Sequence, residues 1–292
     1  MGYIVRTAAL FLMLTLLFVG IGAVLSYFIY DGSTDSMMLV MLVFLVLATL
    51  INLFSFIFSK KIVLKAHKVK LIKREDNPRL YGIVEGIAVS AGLPMPEVGI
   101  TNNPTPNAFA TGRGPKSAAV VATTGLLDLL DDKELRGVMA HEMAHVKNRD
   151  ILVMSVAAMI AGAISILARF ALFGSLRNRD AGTMVIMFLA YLTIPIAAML
   201  IQLSISRSRE YKADESGARI ISDPLSLASA LDKLESGNIR RPMENENPSS
   251  AHMWIANPLS GRKKGTSRIF STHPPVEERI RRLNAMAGRT EA

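Results

Sequence analysis

The chain has 292 residues, 50% of them hydrophobic, with a mean hydropathy of +0.33 and a formal net charge of +9. That is too apolar for an ordinary water-soluble domain of this size, and the lack of cysteine excludes disulfides, thiolate metal ligands and a cysteine nucleophile. The positive charge comes with no RNA- or DNA-binding motif, so it is read as membrane topology and attraction to anionic lipid headgroups, with no nucleic-acid partner.

Four apolar runs, Ile4 to Tyr30, Met37 to Phe58, Ile151 to Phe173 and Met184 to Ile205, each reach the roughly 20 residues that a bilayer requires. The first is longer than a secretory core of roughly 7 to 15 residues and a second run follows almost at once, so it is expected to stay as an anchor. Seven basic residues and no acidic one stand between Lys60 and Arg74, whereas the turn from Asp31 to Ser36 carries two aspartates and no base. This bias puts the long segment after the second run on the cytoplasmic side. Arg177 and Arg179 in the loop from Gly174 to Thr183 argue slightly against it, but parity then places Lys60 to Asp150 and Ser206 to Ala292 together inside. The expected division is spans one and two in 1–58, a first cytoplasmic part in 59–150, spans three and four in 151–205, and a second cytoplasmic part in 206–292.

The stretch from Ile62 to Ile72 alternates apolar and cationic side chains and fits either a strand or an interfacial helix. Asn77-Pro78 opens a helix, with proline at the first helical position. Leu80, Ile83, Val84, Ile87 and Ala91 share its face until Gly92 and Pro94 stop it. From Glu97 to Thr124 short β-rich runs broken by turns predict a small sheet. Within it, Asn107-Ala108-Phe109-Ala110 is either an edge strand that binds a substrate backbone by β-addition or a plain hairpin strand. Asp131 and Glu134 read as a capping box for a helix that carries Leu135, Val138 and Met139 and is expected to merge into the third span.

That helix holds His141-Glu142-Met143-Ala144-His145. Two imidazoles four residues apart share a helical face, the separation a zinc ion needs, while the glutamate between them stays free to take a proton from water. The third ligand must come from elsewhere, because the positions three and six residues after His145 hold Asn148 and Ile151. His145 lies just before the third span and Glu210 just after the fourth, so both sit at a similar depth below one bilayer face. Only Glu210 and Glu215 among the downstream glutamates are held there by the chain. Glu210 is favoured, since Asp214 follows at i+4 and can orient a ligating imidazole through its other nitrogen. The bland reading of Arg207 to Asp214 is a solvated, charged juxtamembrane helix.

Five motifs together resemble the HtpX-type membrane-bound zinc metallopeptidases, relatives of the type 1 CAAX prenyl proteases. They are Asn107-Ala108-Phe109-Ala110-Thr111-Gly112, Thr124-Gly125-Leu126-Leu127, the His141 to His145 motif, Ser206 to Asp214, and Thr272-His273-Pro274-Pro275 leading into Glu278-Arg279-Ile280. The resemblance runs nearly end to end. It implies zinc on His141, His145 and Glu210, Glu142 as catalytic base, a cytoplasmic active site and a role in clearing damaged or misfolded membrane proteins. His273, ahead of two prolines and a helix rich in Glu and Arg, either hydrogen-bonds the oxyanion of the tetrahedral intermediate or is a capping or packing histidine. His67 and His252 are assigned nothing. Ser236 to Ser271, rich in Gly, Pro, Asn and Ser around Trp254, reads as a mobile flap beside the membrane or simply a loop.

The expected architecture is an α-helical membrane protein in which four transmembrane helices carry a cytoplasmic α+β zincin-type metallopeptidase domain. The expected function is hydrolysis of peptide bonds in unfolded or damaged membrane proteins at the cell (inner) membrane, with one Zn2+ per chain. The alternatives are a narrow CAAX-type endopeptidase and a membrane-embedded metal-binding scaffold or transporter without peptidase activity. Four spans enclose little volume for the first. The second would need ionisable residues within the spans, where only Arg6 and Arg169 lie, each near an end.

Overall fold

The computed structural model describes residues 2–29, 34–161, 207–240, 253–256 and 274–288. The fourth expected span, Met184 to Ile205, lies outside them, as do most of the third and His273.

Helices α1 (Gly2–Ile29) and α2 (Thr34–Ala66) pack side by side. The Asn52 side chain of α2 donates from Nδ2 to Phe11 O at 3.1 Å and to Thr15 Oγ1 at 3.0 Å, which ties the two apolar helices together. Leu39, Leu42, Val46, Leu50 and Leu53 leave an exposed apolar face on α2, a surface suited to lipid. Among the described residues Met37–Ala66 is the one helix long and apolar enough to cross a membrane, with shorter apolar stretches at Thr7–Ala23 and Asp150–Ala161. One of the four expected spans is therefore supported by length and composition.

The basic stretch resolves into both of its alternatives. α2 continues past Phe58 to Ala66, Lys68 turns the chain at φ 51°, and Lys70–Ile72 forms strand β1. β2 (Glu97–Thr101), β3 (Ala108–Thr111) and β4 (Ala119–Thr123) complete a sheet in the order β1-β2-β4-β3, with β2 and β4 parallel and the other two pairings antiparallel. Helix α3 (Pro78–Ala91) is capped as its sequence indicates. Asn77 accepts from Leu80 N–H, and Gly92 ends the helix in the left-handed region at φ 65°.

Both faces of β3 and β4 are buried, and alternation along β4 sorts its side chains between them. Val120 and Ala122 join the main core with Leu80 and Val84 of α3 and Leu135, Val138 and Met139 of helix α5 (Asp132–Asn148). Val121 and Phe109 face a second cluster with Val63 of α2, Met154 and Trp254. After β4 comes the short helix α4 (Thr124–Leu129), which Thr123 caps by accepting from Leu126 N–H. The capping box of α5 is complete, with Asp131 and Glu134 each accepting the other's backbone N–H.

α5 does not run into the following apolar helix. Arg149 adopts φ 60° and caps its end, and a separate helix, α6, is described over Asp150–Ala161. Helices α7 (Arg207–Ile221) and α8 (Pro224–Arg240) pack on α5, and α9 (Val276–Met286) packs on α7 and α8, so segments far apart in the sequence are gathered around one helix.

Candidate metal centre

The site is built where α7 crosses α5. Glu210, Asp214 and Gly217 recur at i, i+4 and i+7 and form the face that α7 turns to α5. The crossing is close because Gly217 has no side chain. A Cβ there would lie 2.9 Å from His141 N and 3.0 Å from Ala140 C and O. On the other side of α5, Gly137 meets α8 with equal closeness, at 2.8 Å from Leu227 N.

His141, Glu142, His145, Glu210 and Asp214 are all buried. His141 Nδ1 donates to Asp214 Oδ1 at 2.9 Å, and His145 Nδ1 donates to Asp150 Oδ2 at 3.3 Å, because a carboxylate can only accept. Those bonds turn both Nε2 atoms inward, 3.2 Å apart. Glu210 brings Oε1 to 3.5 Å from His145 Nε2 and Oε2 to 3.8 Å from His141 Nε2. Three ligand atoms thus lie within 4.8 Å of one another. Tetrahedral zinc ligands about 2.05 Å from the ion would be about 3.3 Å apart, close to these separations. In a buried pocket these two nitrogens and a carboxylate need a positive charge among them, a proton or a metal ion. The donor set and its spacing fit a metal ion, with two nitrogens and one oxygen.

The electrostatics separate the two histidines. Burial pushes His141 down to about 4 despite its bond to Asp214. Burial acts the same way on His145, but Asp150, Glu210 and Glu142 together raise it to about 9. Glu142 is raised to about 7, first by burial and then by the charge of Glu210, although Ala110 N–H donates to its carboxylate. Burial would also raise Asp214, yet Arg279 holds it below the usual carboxylate range.

Sequence reasoning missed two residues of this site. Arg279 of α9 is buried and grips Asp214 with Nε at 2.8 Å and Nη2 at 2.7 Å, while Nη2 also stands 3.5 Å from His141 Nδ1. Asp150 backs His145 and lies 3.7 Å from Arg209 Nη1, next in sequence to Glu210. Each of the two imidazoles therefore has its own carboxylate, and each carboxylate its own arginine. Glu215, the other candidate ligand, pairs with Arg219 at 2.9 Å on the outer face of α7 and takes no part. Of Asn107, Ala108, Phe109 and Ala110, Ala110 reaches the site through its N–H to Glu142, whereas Asn107 holds Ala256 and the Phe109 side chain faces the second cluster; β3 is the last strand of the sheet among the described residues, and every side chain on it is buried.

The profile of peptidase family M48 matches residues 74–287. A protein named "Protease HtpX homolog" from Syntrophobacter fumaroxidans is 47% identical over 294 residues, covering 98% of this chain and 100% of that one. One of the same name from Pyrococcus furiosus is 46% identical over 291 residues, covering 98% and 96%. Among solved structures, the crystal structure of S. mikatae Ste24p is similar at 18% identity and a TM-score of 0.48, covering 93% of this chain and 62% of that one.

Proposed function

The chain belongs to peptidase family M48 and is a membrane-associated metallopeptidase, and from that premise we propose a multi-pass zinc endopeptidase of the cell membrane with its site on the cytoplasmic side. Its proposed substrates are unfolded or damaged membrane proteins, a protein quality-control role that suits relatives named as HtpX proteases. The observation that carries the reading is the buried convergence of His141 Nε2, His145 Nε2 and Glu210 beside the carboxylate of Glu142.

In this reading His141, His145 and Glu210 hold one zinc ion, which when bound polarises the scissile carbonyl and makes water more acidic. Glu142 is the general base. Burial lifts its affinity for a proton to about 7, so near neutral pH it can accept one from water and return it to the leaving amine. The Ala110 N–H fixes the direction of that carboxylate. Asp214, itself clamped by Arg279, holds the His141 ring by Nδ1, and Asp150 does the same for His145. Asn107 to Ala110 receive the substrate backbone, and His273 is proposed as an oxyanion donor.

The test is to purify the protein in detergent, count its zinc and offer it an unfolded protein such as casein. One zinc per chain is expected, with degradation lost to a chelator and regained with zinc. Hydrolysis that survives complete metal removal would overturn the mechanism, and stoichiometric zinc without hydrolysis would point to a metal-binding scaffold.

A further inference from the structure

β3 ends the sheet order, so among the described residues one of its edges has no neighbouring sheet strand. Thr123 N donates to Asn107 O at 3.0 Å, which turns the Asn107 main chain towards β4. By the alternation of an antiparallel ladder, Ala108 and Ala110 turn theirs outward, on the side of Glu142. Ala110 N–H is already spent on the Glu142 carboxylate. Ala108 O is taken by the chain itself, since Ile255 N donates to it at 3.0 Å.

The next bonds extend this contact. Arg279 Nη1 donates to Ile255 O at 3.1 Å, from the same guanidinium that grips Asp214. Asn107 clasps the following residue from both sides, accepting from Ala256 N at 3.2 Å and donating to Ala256 O at 2.8 Å. Every main-chain donor and acceptor of Ile255 and Ala256 is thereby held, by the edge strand, by Asn107 just before it and by the arginine behind His141. Only the first of the four bonds is a ladder bond. The other three come from the Asn107 and Arg279 side chains. Recognition of this kind reads backbone and serves any extended peptide that presents the same groups. The side chain of Ile255 is buried in the main core cluster, and the Trp254 ring stands edge-on to Phe109 at 4.8 Å and to His67 at 5.2 Å.

We propose that Ile255 and Ala256 are an internal occupant of the peptide-binding edge, and that a substrate enters by displacing them and taking over their bonds to Ala108, Asn107 and Arg279. The inference rests on the peptidase reading of the site. It adds that the site is self-occupied, and that an extended segment with an aliphatic side chain in the place of Ile255 competes best for it.

Trp254 is the only tryptophan of the chain and reports on its own displacement. The experiment uses the full-length, zinc-loaded Glu142→Gln protein, which can hold a peptide without cleaving it. The probe is the tryptophan-free peptide Ala-His-Met-Phe-Ile-Ala-Asn-Pro, labelled for anisotropy and unlabelled for Trp254 emission. Saturable binding with a red shift of Trp254 emission over the same concentration range is expected. Ile255→Pro, which has no N–H to give Ala108, should bind the peptide about tenfold more tightly, the worth of a hydrogen bond at the upper end of the neutral range. Peptide binding with unchanged Trp254 emission and unchanged affinity in Ile255→Pro would overturn the proposal and make the segment a fixed wall of the cleft. Absence of peptide binding would overturn it as well. The emission readout needs no change in the segment, so it decides even if Ile255→Pro does not fold. A wild-type protein that fails to degrade casein would count against the peptidase reading, while peptide displacement of Trp254 would stand apart from that result.

Discussion

Gly217→Ala adds one methyl group and should damage the metal centre far more than the fold. The new Cβ would sit 2.9 Å from His141 N and 3.0 Å from Ala140 C and O, and backbone atoms cannot swing aside. Ordinary carbon contacts begin near 3.5 Å, so α7 must back away from α5 by roughly 0.5 to 1 Å. Asp214 and Glu210 lie one and two turns along the same face, and a stiff helix carries the retreat to both. The Glu210 oxygens already stand 3.5 and 3.8 Å from the imidazole nitrogens, beyond the tetrahedral spacing of about 3.3 Å, so a further retreat leaves the ion underligated. For the fold, overpacking costs about 1 to 3 kcal/mol and replacing a helical glycine with alanine returns about 1 kcal/mol. The net loss of stability is about 0 to 2 kcal/mol. Zinc affinity should fall about 10- to 100-fold, as it does when the support of a metal ligand is disturbed. Competition with a chromophoric chelator measures the affinity, and melting in excess chelator measures the metal-independent stability. Gly82→Ala and Gly86→Ala on α3 serve as controls, since a Cβ at either meets nothing within 4 Å. They should raise stability by up to about 1 kcal/mol and leave affinity alone. A Gly217→Ala protein with wild-type zinc affinity would refute the argument that this close crossing sets the site.

Glu142→Gln should keep its zinc and lose hydrolysis by several orders of magnitude, whereas Glu210→Ala should lose both; metal analysis and casein degradation on the same preparations compare them, and a zinc-replete, active Glu210→Ala would remove it from the ligands. The second expectation concerns pH. His145 is raised to about 9, so below that pH the imidazole carries a proton that a zinc ion must expel; apparent affinity should fall as pH falls, by about tenfold per unit, with proton release measurable by calorimetry in buffers of different ionisation enthalpy. Affinity that is flat between pH 6 and 8 would contradict the proton assignment.

The parts of the site that the sequence makes legible are those in which a local period does the positioning. His141 and His145 at i and i+4 define a helical face, and Glu210 with Asp214 repeats the spacing on a second helix, so either helix alone carries the message. The capping box at Asp131 and Glu134 is equally local. Asp150 is hidden because its place depends on a break. On a continued helix it would lie five residues, or about 140°, away from His145, and the left-handed turn at Arg149 is what brings it back. The order of the sheet is hidden too, since nothing in short apolar runs says that β2 pairs with β4 in parallel across the intervening β3.

Arg279 is the instructive case. Helix α9 is crowded with charge, and Arg281 and Arg282 spend theirs on Glu278 at the surface, within 3 to 4 residues. Composition cannot say which arginine is different. The apolar stripe can, because Val276, Ile280 and Leu283 share one face and Arg279 falls within it at i+3 from the first and i−4 from the last. A guanidinium placed in the buried stripe of an amphipathic helix costs several kcal/mol in desolvation unless a buried anion meets it with good geometry. The chain must therefore supply a carboxylate inside the core. Asp214, on the inward face of α7 one turn from Glu210, meets it with the two-pronged geometry that guanidinium and carboxylate share. The same pairing that makes the arginine tolerable in the core makes the aspartate a fixed anion behind His141. Burial of the charge and orientation of the His141 imidazole are thus one structural fact seen from two sides.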